Sequence, residues 1–525
     1  MTDFLLAVLP IAALIFVMTK PRPLPSTVAF ALAAALAYAI RLAWFGDGLG
    51  LLNAAVLSGL LDALTPIAIL FGAIFFFVAM EKSGAMGILQ EWLRSVSPNP
   101  VAQIMLAGWA FIFLIEGAAG FGTPAALAAP VLVALGFPPL RVAGLCLVFN
   151  AIPTTFGAVG TPMWFGFEAL ALSPSELAGL SSKTALLQTL AAAVVPALAL
   201  RFVVPWDVIR RNLVFIQLSV FACVAPMFLV AQFNYEFPAV VGGVIGLPAT
   251  ILLARLGVGL ERTAGEVRGA LFSRRVMLAI SPLAATVAIL LVTRIPVLGL
   301  RQWLTAAEPH LALPLGPLGI LTVSPSLVLA LRGILGQDLH WSHAVLYVPS
   351  LIPFVLTAGF AFALFRSAPH LWRAALRETG GRIGAPVLAL LGALAFVSLL
   401  MTGGDRSSTH ILGHSLAAVS GDAWKYFAPF LGALGSFFSG STTISNLTFG
   451  GIQASIAEDT GMNPVSLLAL QCAGAAMGNI ICIHNIVSVC AVLSLSGVEG
   501  RILKDALPAV GVYGLILALA AVFLL

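Results

Sequence analysis

Charge is scarce in this chain. Only 9% of its 525 residues are Asp, Glu, Lys or Arg, against roughly 25% in soluble globular domains, so its surface cannot mostly face water. Cysteine is scarce as well. Cys146, Cys223, Cys472, Cys482 and Cys490 stand singly in apolar surroundings without metal-ligand spacing, which reads as buried free thiols rather than disulfides or a metal site. No GxxxxGK[ST] run occurs, which argues against direct ATP hydrolysis by this chain. There is no HExxH run either, and no Ser/His/Asp set gathers near one stretch, so an enzyme working inside the membrane would lack its nucleophile or metal. No long soluble domain, low-complexity tail or charged linker interrupts the chain. The first apolar segment has neither a basic n-region nor a small-residue cleavage site and is read as a retained helix, not a signal peptide.

What the sequence has in abundance is apolar runs. Hydrophobic residues make up 60% of it and the mean hydropathy is +1.06. A spanning helix needs about 20 largely apolar residues. Such stretches recur at 4–17, 28–43, 61–80, 185–200, 213–232, 239–253, 276–292, 348–365, 385–401 and 507–525. Lipid offers no partner to an exposed N–H or C=O, so the spans are expected to be helices. With the irregular regions below, we count about 12–15 membrane-embedded segments in one all-α polytopic membrane domain, 1–525. The net charge of +5 and pI near 9.1 fit loops with a positive-inside bias and do not suggest a nucleic-acid partner. Basic clusters at Lys20/Arg22, Arg210/Arg211, 255–275 and 366–382 mark the cytoplasmic side and put the N-terminus outside, while the Arg501/Lys504 pair is left unplaced. The 84–96 stretch, with Ile88, Leu89, Trp92 and Leu93 against Gln90, Glu91 and Arg94, reads as an amphipathic helix at the membrane surface.

Two segments depart from a clean apolar run. The first, 106–165, carries Glu116, then GAAGFGTP from Gly117 to Pro124 and NAIPTTFGAVGTP from Asn150 to Pro162. The second, 427–497, carries GSFFSGSTTISN from Gly435 to Asn446 and GNIICIHN from Gly478 to Asn485. Each has a polar Gly/Thr/Ser break, an apolar stretch, and a second break headed by an asparagine. The pattern reads as a diverged internal duplication, with halves near 1–235 and 236–525. Paired, glycine-interrupted hydrophobic segments are the best sequence pointer to the binding site of a secondary transporter. Irregular backbone at membrane depth is tolerated only where protein buries it or where it lines an aqueous cavity. A broken helix also offers free N–H groups and the positive end of its dipole, which suits a carboxylate. The bland alternative is that the glycines only let helices pack closely. It fits an isolated glycine better than two matched clusters that also carry Asn, Thr and Ser.

Those same residues resemble the L-lactate permease family of bacterial carboxylate transporters. Glu116 with GAAGFGTP, LGF at 135–137 and NAIPTTFGAVGTP look like its N-terminal signature. GSFFSGSTTISNLTFGGIQ at 435–453 and GAAMGN at 474–479 look like its C-terminal one. The resemblance covers most of the chain in order. It implies proton-coupled uptake of lactate, glycolate and similar 2-hydroxy acids across the cell inner membrane, with two inverted repeats containing re-entrant or broken helices. The chain also departs from the pattern. Thr442 stands where relatives usually carry an aspartate, Asn479 where they usually carry a lysine, and a glutamine is usual near His484. Loss of an acid and a base together can be one coupled change, since an intramembrane charge is costly without a partner.

Glu116 follows a long apolar run and precedes a glycine break. Desolvation there disfavours its charged form, so it is the candidate proton-coupling group, with His484 as a lesser one. A structural carboxylate capping the broken helix is the competing role. Gly120, Thr123, Asn150, Thr154 and Thr155 in the first segment are the candidate substrate contacts, with Ser441, Thr442, Thr443, Asn446 and Asn479 in the second. Their hydroxyls and amides suit a carboxylate and a 2-hydroxyl. Arg141, after a Pro-Pro turn, is expected to snorkel to the interface, and Asp62 and Glu168 are expected to be interfacial. No cofactor or metal is expected. The coupling ion is H+, with Na+ the alternative, since carbonyls and hydroxyls at broken helices can hold it equally well. A carrier for a different small organic anion is the alternative within transport. A channel would need a selectivity ring, often built by oligomeric symmetry, whereas duplicated halves suggest a site within one chain. The expected partners are thus a small carboxylate and the lipid bilayer.

Overall fold

Residues 2–20, 24–120, 123–261, 273–294, 298–348, 351–493, 495 and 498–524 are described in a computed structural model. Among them, eight helices are long and apolar enough to cross a membrane, or nine if the bent pair Pro139–Ala151 and Pro153–Leu170 counts as one span. Each of the ten apolar stretches overlaps a helix. The protein is an all-α polytopic membrane protein in its membrane-capable part. Packing divides the chain into two compact units, Met1–Ala85 with Ile280–Val419, and Met86–Ala279 with Ser420–Leu525. Each unit draws on both sides of residue 235, so the units are not the two sequence halves.

The first unit contains the spans Ser26–Phe45, Leu49–Lys82 and Pro369–Met401 and the shorter apolar helices Thr2–Met18 and Ile352–Leu364. Arg41, 1% exposed, is held by Asp47 at 2.5 Å and by the Arg406 carbonyl at 2.7 Å. A buried guanidinium without such partners would be prohibitive. Asp62 is half-buried, near the middle of the 34-residue Leu49–Lys82 span, with Ser58 and His340 as its neighbours. Its expected interfacial position is thus qualified by an adjoining small sheet.

That sheet is a four-stranded antiparallel meander, β1 (Leu311–Pro314), β2 (Ile320–Val323), β3 (Val328–Arg332) and β4 (His340–Ala344), paired in chain order. Sequence reasoning predicts no strands here. The physical cause lies in the spacing of breakers: Pro314, Gly316, Pro317, Gly319, Pro325, Gly333 and Gly336 leave runs too short for a helix but long enough for strands of four or five residues. Leu331, Ile334 and Trp341 bury against Ala54, with Leu57 and Leu61 beside them. His343 Nδ1 meets Thr65 Oγ1 at 2.9 Å, and burial lowers the tendency of this imidazole to protonate.

The second unit contains the spans Pro100–Ala118, Pro174–Leu200, Leu213–Ala231, Pro238–Leu256 and Glu499–Leu524. All four polar breaks lie in this unit. The two ends of its spans differ in charge. Arg141, Arg201, Arg210, Arg211, Arg255, Arg501 and Lys504 stand at or next to one set of helix termini. Glu168, Glu176, Glu236, Asp422, Glu458 and Asp459 stand toward the other. The Leu524 carbonyl, accepting from Ser466 at 2.8 Å, ties the far end of the last span to the acidic side. Arg501 and Lys504 share the basic end with Arg210 and Arg211, the end that the positive-inside rule would face to the cytoplasm.

Candidate functional site

A helix interrupted inside a bundle carries unpaired backbone groups to a depth where water is scarce. The second unit does this four times. The span Pro100–Ala118, which includes a π-helical turn at Met105–Ala110, stops at Gly120. Gly120 has φ +61°, and a Cβ there would lie 2.9 Å from both the Cβ and the N of Ala158. Only glycine fits both constraints. The helix resumes as Thr123–Ala134.

The second break follows Pro139–Ala151. A 3₁₀ turn, Pro153–Phe156, leads into Ala158, Val159 and Gly160 at φ 45°, 57° and 69°, and the helices on either side are bent by 51°. Left-handed backbone at Ala and at β-branched Val costs ~1–3 kcal/mol each and persists only where neighbours over-determine it. Here Thr161 Oγ1 donates to the Ala158 carbonyl at 2.5 Å, and Trp164 Nε1 to the Val159 carbonyl at 3.1 Å. Asn446 Nδ2 reaches across from the fourth quarter of the chain to the Pro162 carbonyl at 3.0 Å.

The third break separates Trp424–Ser439 from Thr442–Thr460 at Gly440, φ 72°. Ser441 caps the new helix, its Oγ accepting from Ile444 N at 3.3 Å, and Ser445 N bonds the Ser441 carbonyl at 3.0 Å. The N–H groups of Thr442 and Thr443 are left for a ligand or water. Behind this helix runs a closed polar chain. Trp424 Nε1 donates to Gln453 Oε1 at 2.7 Å, Gln453 Nε2 to Gln471 Oε1 at 3.0 Å, Gln471 Nε2 to Ser445 Oγ at 3.2 Å, and Ser445 Oγ to the Gly432 carbonyl at 2.7 Å. A fully satisfied buried network of this kind holds one geometry. The fourth break follows Pro464–Asn479.

The breaks meet at Glu116, which is 1% exposed. Thr154 Oγ1 donates to its Oε1 at 2.9 Å, and the Asn150 amide faces the same carboxylate. Asn479 Nδ2 donates to Thr154 Oγ1 at 3.3 Å, and Asn485 Nδ2 in turn donates to Asn479 Oδ1. The Asn485, Asn479 and Thr154 donors thus run in one direction, toward the carboxylate. Glu116 Oε2 and Thr442 Oγ1 have no partner among the described residues.

Around them lies a small open-sided cleft of about 20 Å³. Glu116, Gly120, Thr154, Gly157, Ala158 and Pro162 line it from the first segment, and Gly440, Ser441, Thr442, Thr443 and Asn479 from the second. None of these is a Lys, Arg or His. An anion entering the cleft would meet N–H groups, hydroxyls and an amide, with the helix dipole of Thr442–Thr460 behind them. It would also meet Glu116.

Of the residues singled out from sequence, Glu116, Gly120, Thr154, Ser441, Thr442, Thr443 and Asn479 line this one cleft. Asn150, Thr155 and Asn446 are buried but do not line it; Asn446 spends its amide on the Pro162 carbonyl. The Thr123 and His484 side chains lie outside the described residues. Gly157, Ala158, Pro162 and Gly440 also line it; they contribute backbone and space rather than a polar side chain, so the sequence does not mark them individually. Asn485, Gln453 and Gln471 act through other residues, and only tertiary contacts reveal them. Among the described residues no group of three His, Cys, Asp or Glu could hold a metal ion.

Comparison with known proteins agrees with the motifs. A protein of Haemophilus influenzae, named provisionally as an L-lactate permease, is 46% identical over all of this chain and 99% of its own. The L-lactate permease of Salmonella typhimurium is 27% identical over 95% of this chain and 92% of its own. A glycolate permease of Escherichia coli is 25% identical over 95% and 91%. The family model described as L-lactate permease matches residues 3–525, and the chain, a multi-pass membrane protein, belongs to the L-lactate permease family.

Proposed function

We propose that the protein is a secondary active transporter that takes small monocarboxylates, lactate and glycolate among them, across the cell inner membrane by proton symport with alternating access. The observation that carries this reading is a pairing within one cleft. Glu116, buried and with one oxygen unpartnered among the described residues, stands beside the capped N-terminus of Thr442–Thr460, and no cationic side chain is among the described residues of the lining. Two carboxylates in so small a space repel strongly, because the low local dielectric does not screen them. A substrate anion therefore favours the protonated form of Glu116, and protonation of Glu116 favours the anion. This reciprocity is what symport requires. The matches to a lactate and a glycolate permease support the substrate class. A 2-hydroxy acid has one carboxylate for the helix N-terminus and one hydroxyl for the Thr and Asn side chains.

The test is uptake of radiolabelled L-lactate into proteoliposomes under an inward proton gradient, an inward sodium gradient, or neither. Glycolate, pyruvate and citrate serve as competitors. Proton-stimulated uptake that glycolate blocks and citrate does not is the expected result. Stimulation by sodium alone would move the coupling away from Glu116, and absence of lactate uptake by correctly inserted protein would move the substrate.

A further inference from the structure

The second unit contains another cavity, at its basic end and separate from the cleft. It has a volume of about 870 Å³ and is bordered by Arg141, Arg201, Arg501 and Lys504, with Asp505 the one acid among its lining residues. Four cations against one carboxylate leave an excess of three positive charges. Asp505 lies 4.0 Å from Arg501, and both are well exposed, so this pair neutralises little. Arg141 donates to the Phe202 carbonyl at 3.3 Å, which leaves its charge uncompensated.

The rest of the wall is apolar, with Leu198, Phe202, Trp206, Pro508 and Val512 among its residues. The four cations belong to helix ends. Arg141 begins Pro139–Ala151, Arg201 ends the Pro174–Leu200 span, and Arg501 and Lys504 lie in the first turns of Glu499–Leu524. A cavity bordered by the ends of membrane-capable helices is where headgroups would meet acyl chains, and Trp206 is of the type enriched at that level. Cations at the N-terminus of a helix oppose its dipole, so Arg501 and Lys504 cost helix stability unless an anion joins them.

We propose that this cavity binds an anionic phospholipid from the cytoplasmic leaflet, its phosphodiester groups held by Arg141, Arg201, Arg501 and Lys504 and its chains lying along Leu198, Phe202 and Val512. Four separated cations favour a lipid with two phosphates over one with a single phosphate. A free oxyanion would gain the same charge contacts but leave the apolar wall uncovered. Basic pockets between spanning helices on the cytoplasmic side are the usual setting for such headgroups.

The experiment is native mass spectrometry of the delipidated full-length protein titrated with tetraoleoyl cardiolipin, dioleoyl phosphatidylglycerol or dioleoyl phosphatidylcholine, with inorganic phosphate as a competitor. One saturable cardiolipin adduct is expected, weaker for phosphatidylglycerol and absent for phosphatidylcholine. R501Q/K504Q should weaken cardiolipin roughly tenfold or more, and R501K/K504R should restore it. Thermal melting in phosphatidylcholine nanodiscs with and without cardiolipin gives a readout on the wild-type protein alone: a rise with cardiolipin supports the site, and none counts against it. Equal cardiolipin affinity in R501Q/K504Q and wild type would overturn the proposal. Complete displacement of cardiolipin by millimolar phosphate would overturn the lipid and leave a free-oxyanion site.

Discussion

The first interrupted segment brings a carboxylate into the cleft, on a helix that ends one turn later at Gly120, and faces it with donors from Thr154 and Asn150, while Asn479 of the second segment donates to Thr154. The second brings no charge at all. Its contribution is a helix start capped by Ser441, with open N–H groups and the Thr442 and Thr443 hydroxyls. The first is also strained, with three successive left-handed residues at 158–160, two of them not glycine, whereas the left-handed residues among the described ones of the second, Gly440 and Gly461, are both glycines. Two segments with the same order of breaks thus carry complementary chemistry. One can hold a proton, and the other can hold an anion without a fixed positive charge. Thr442 and Asn479 bring no charge, and Glu116 is the one ionisable side chain among the described residues that line the cleft.

That asymmetry can be broken from either side. Glu116→Gln removes the proton site while keeping a neutral acceptor for Thr154, so gradient-driven lactate accumulation should fall to background while lactate counterflow persists. Counterflow and accumulation measured in the same proteoliposomes test it, and accumulation at wild-type level would remove Glu116 from coupling. Gly157→Ala places a Cβ against Glu116 Oε1. It should displace the carboxylate and cost ~1–3 kcal/mol through overpacking, read as a lower melting temperature together with reduced uptake at saturating lactate. Asn446→Leu leaves the Pro162 carbonyl without its donor, at ~1–3 kcal/mol. Because Asn446 does not line the cleft, the melting temperature should drop while the apparent lactate affinity of the folded fraction stays close to wild type. Ser441→Ala has the smallest expected effect. Loss of the cap costs ~1 kcal/mol and should raise the lactate concentration for half-maximal uptake, without altering the proton dependence that Glu116→Gln abolishes.

Much of this was legible without coordinates, for a physical reason. A break inside a spanning helix must be written locally, in glycines that permit φ +61° at residue 120 or +72° at 440, and in polar residues that would be costly in lipid without a function. Glu116, the GSTT run and the two asparagines therefore stood out against an apolar background. The sheet at 311–344 did not, because short Gly/Pro-punctuated runs look like loop until β1 to β4 pair. The distinction between Asn479, which lines the cleft, and Asn446, which braces Pro162, was also invisible. Both are single amides beside a break, and a side chain's role there depends on which carbonyl 284 residues away lies within reach.

Membrane residence, helical class, the positions of the breaks and the unusual carboxylate at 116 were determined by the sequence by itself, since each follows from composition or local backbone preference. Tertiary structure alone decided that four breaks converge on one cleft with no cation among its described lining residues. It also decided that Arg141, Arg201, Arg501 and Lys504, drawn from three separate helices, gather around one cavity. Such convergence is set by how helices pack, and packing joins residues whose separation along the chain carries no local signal.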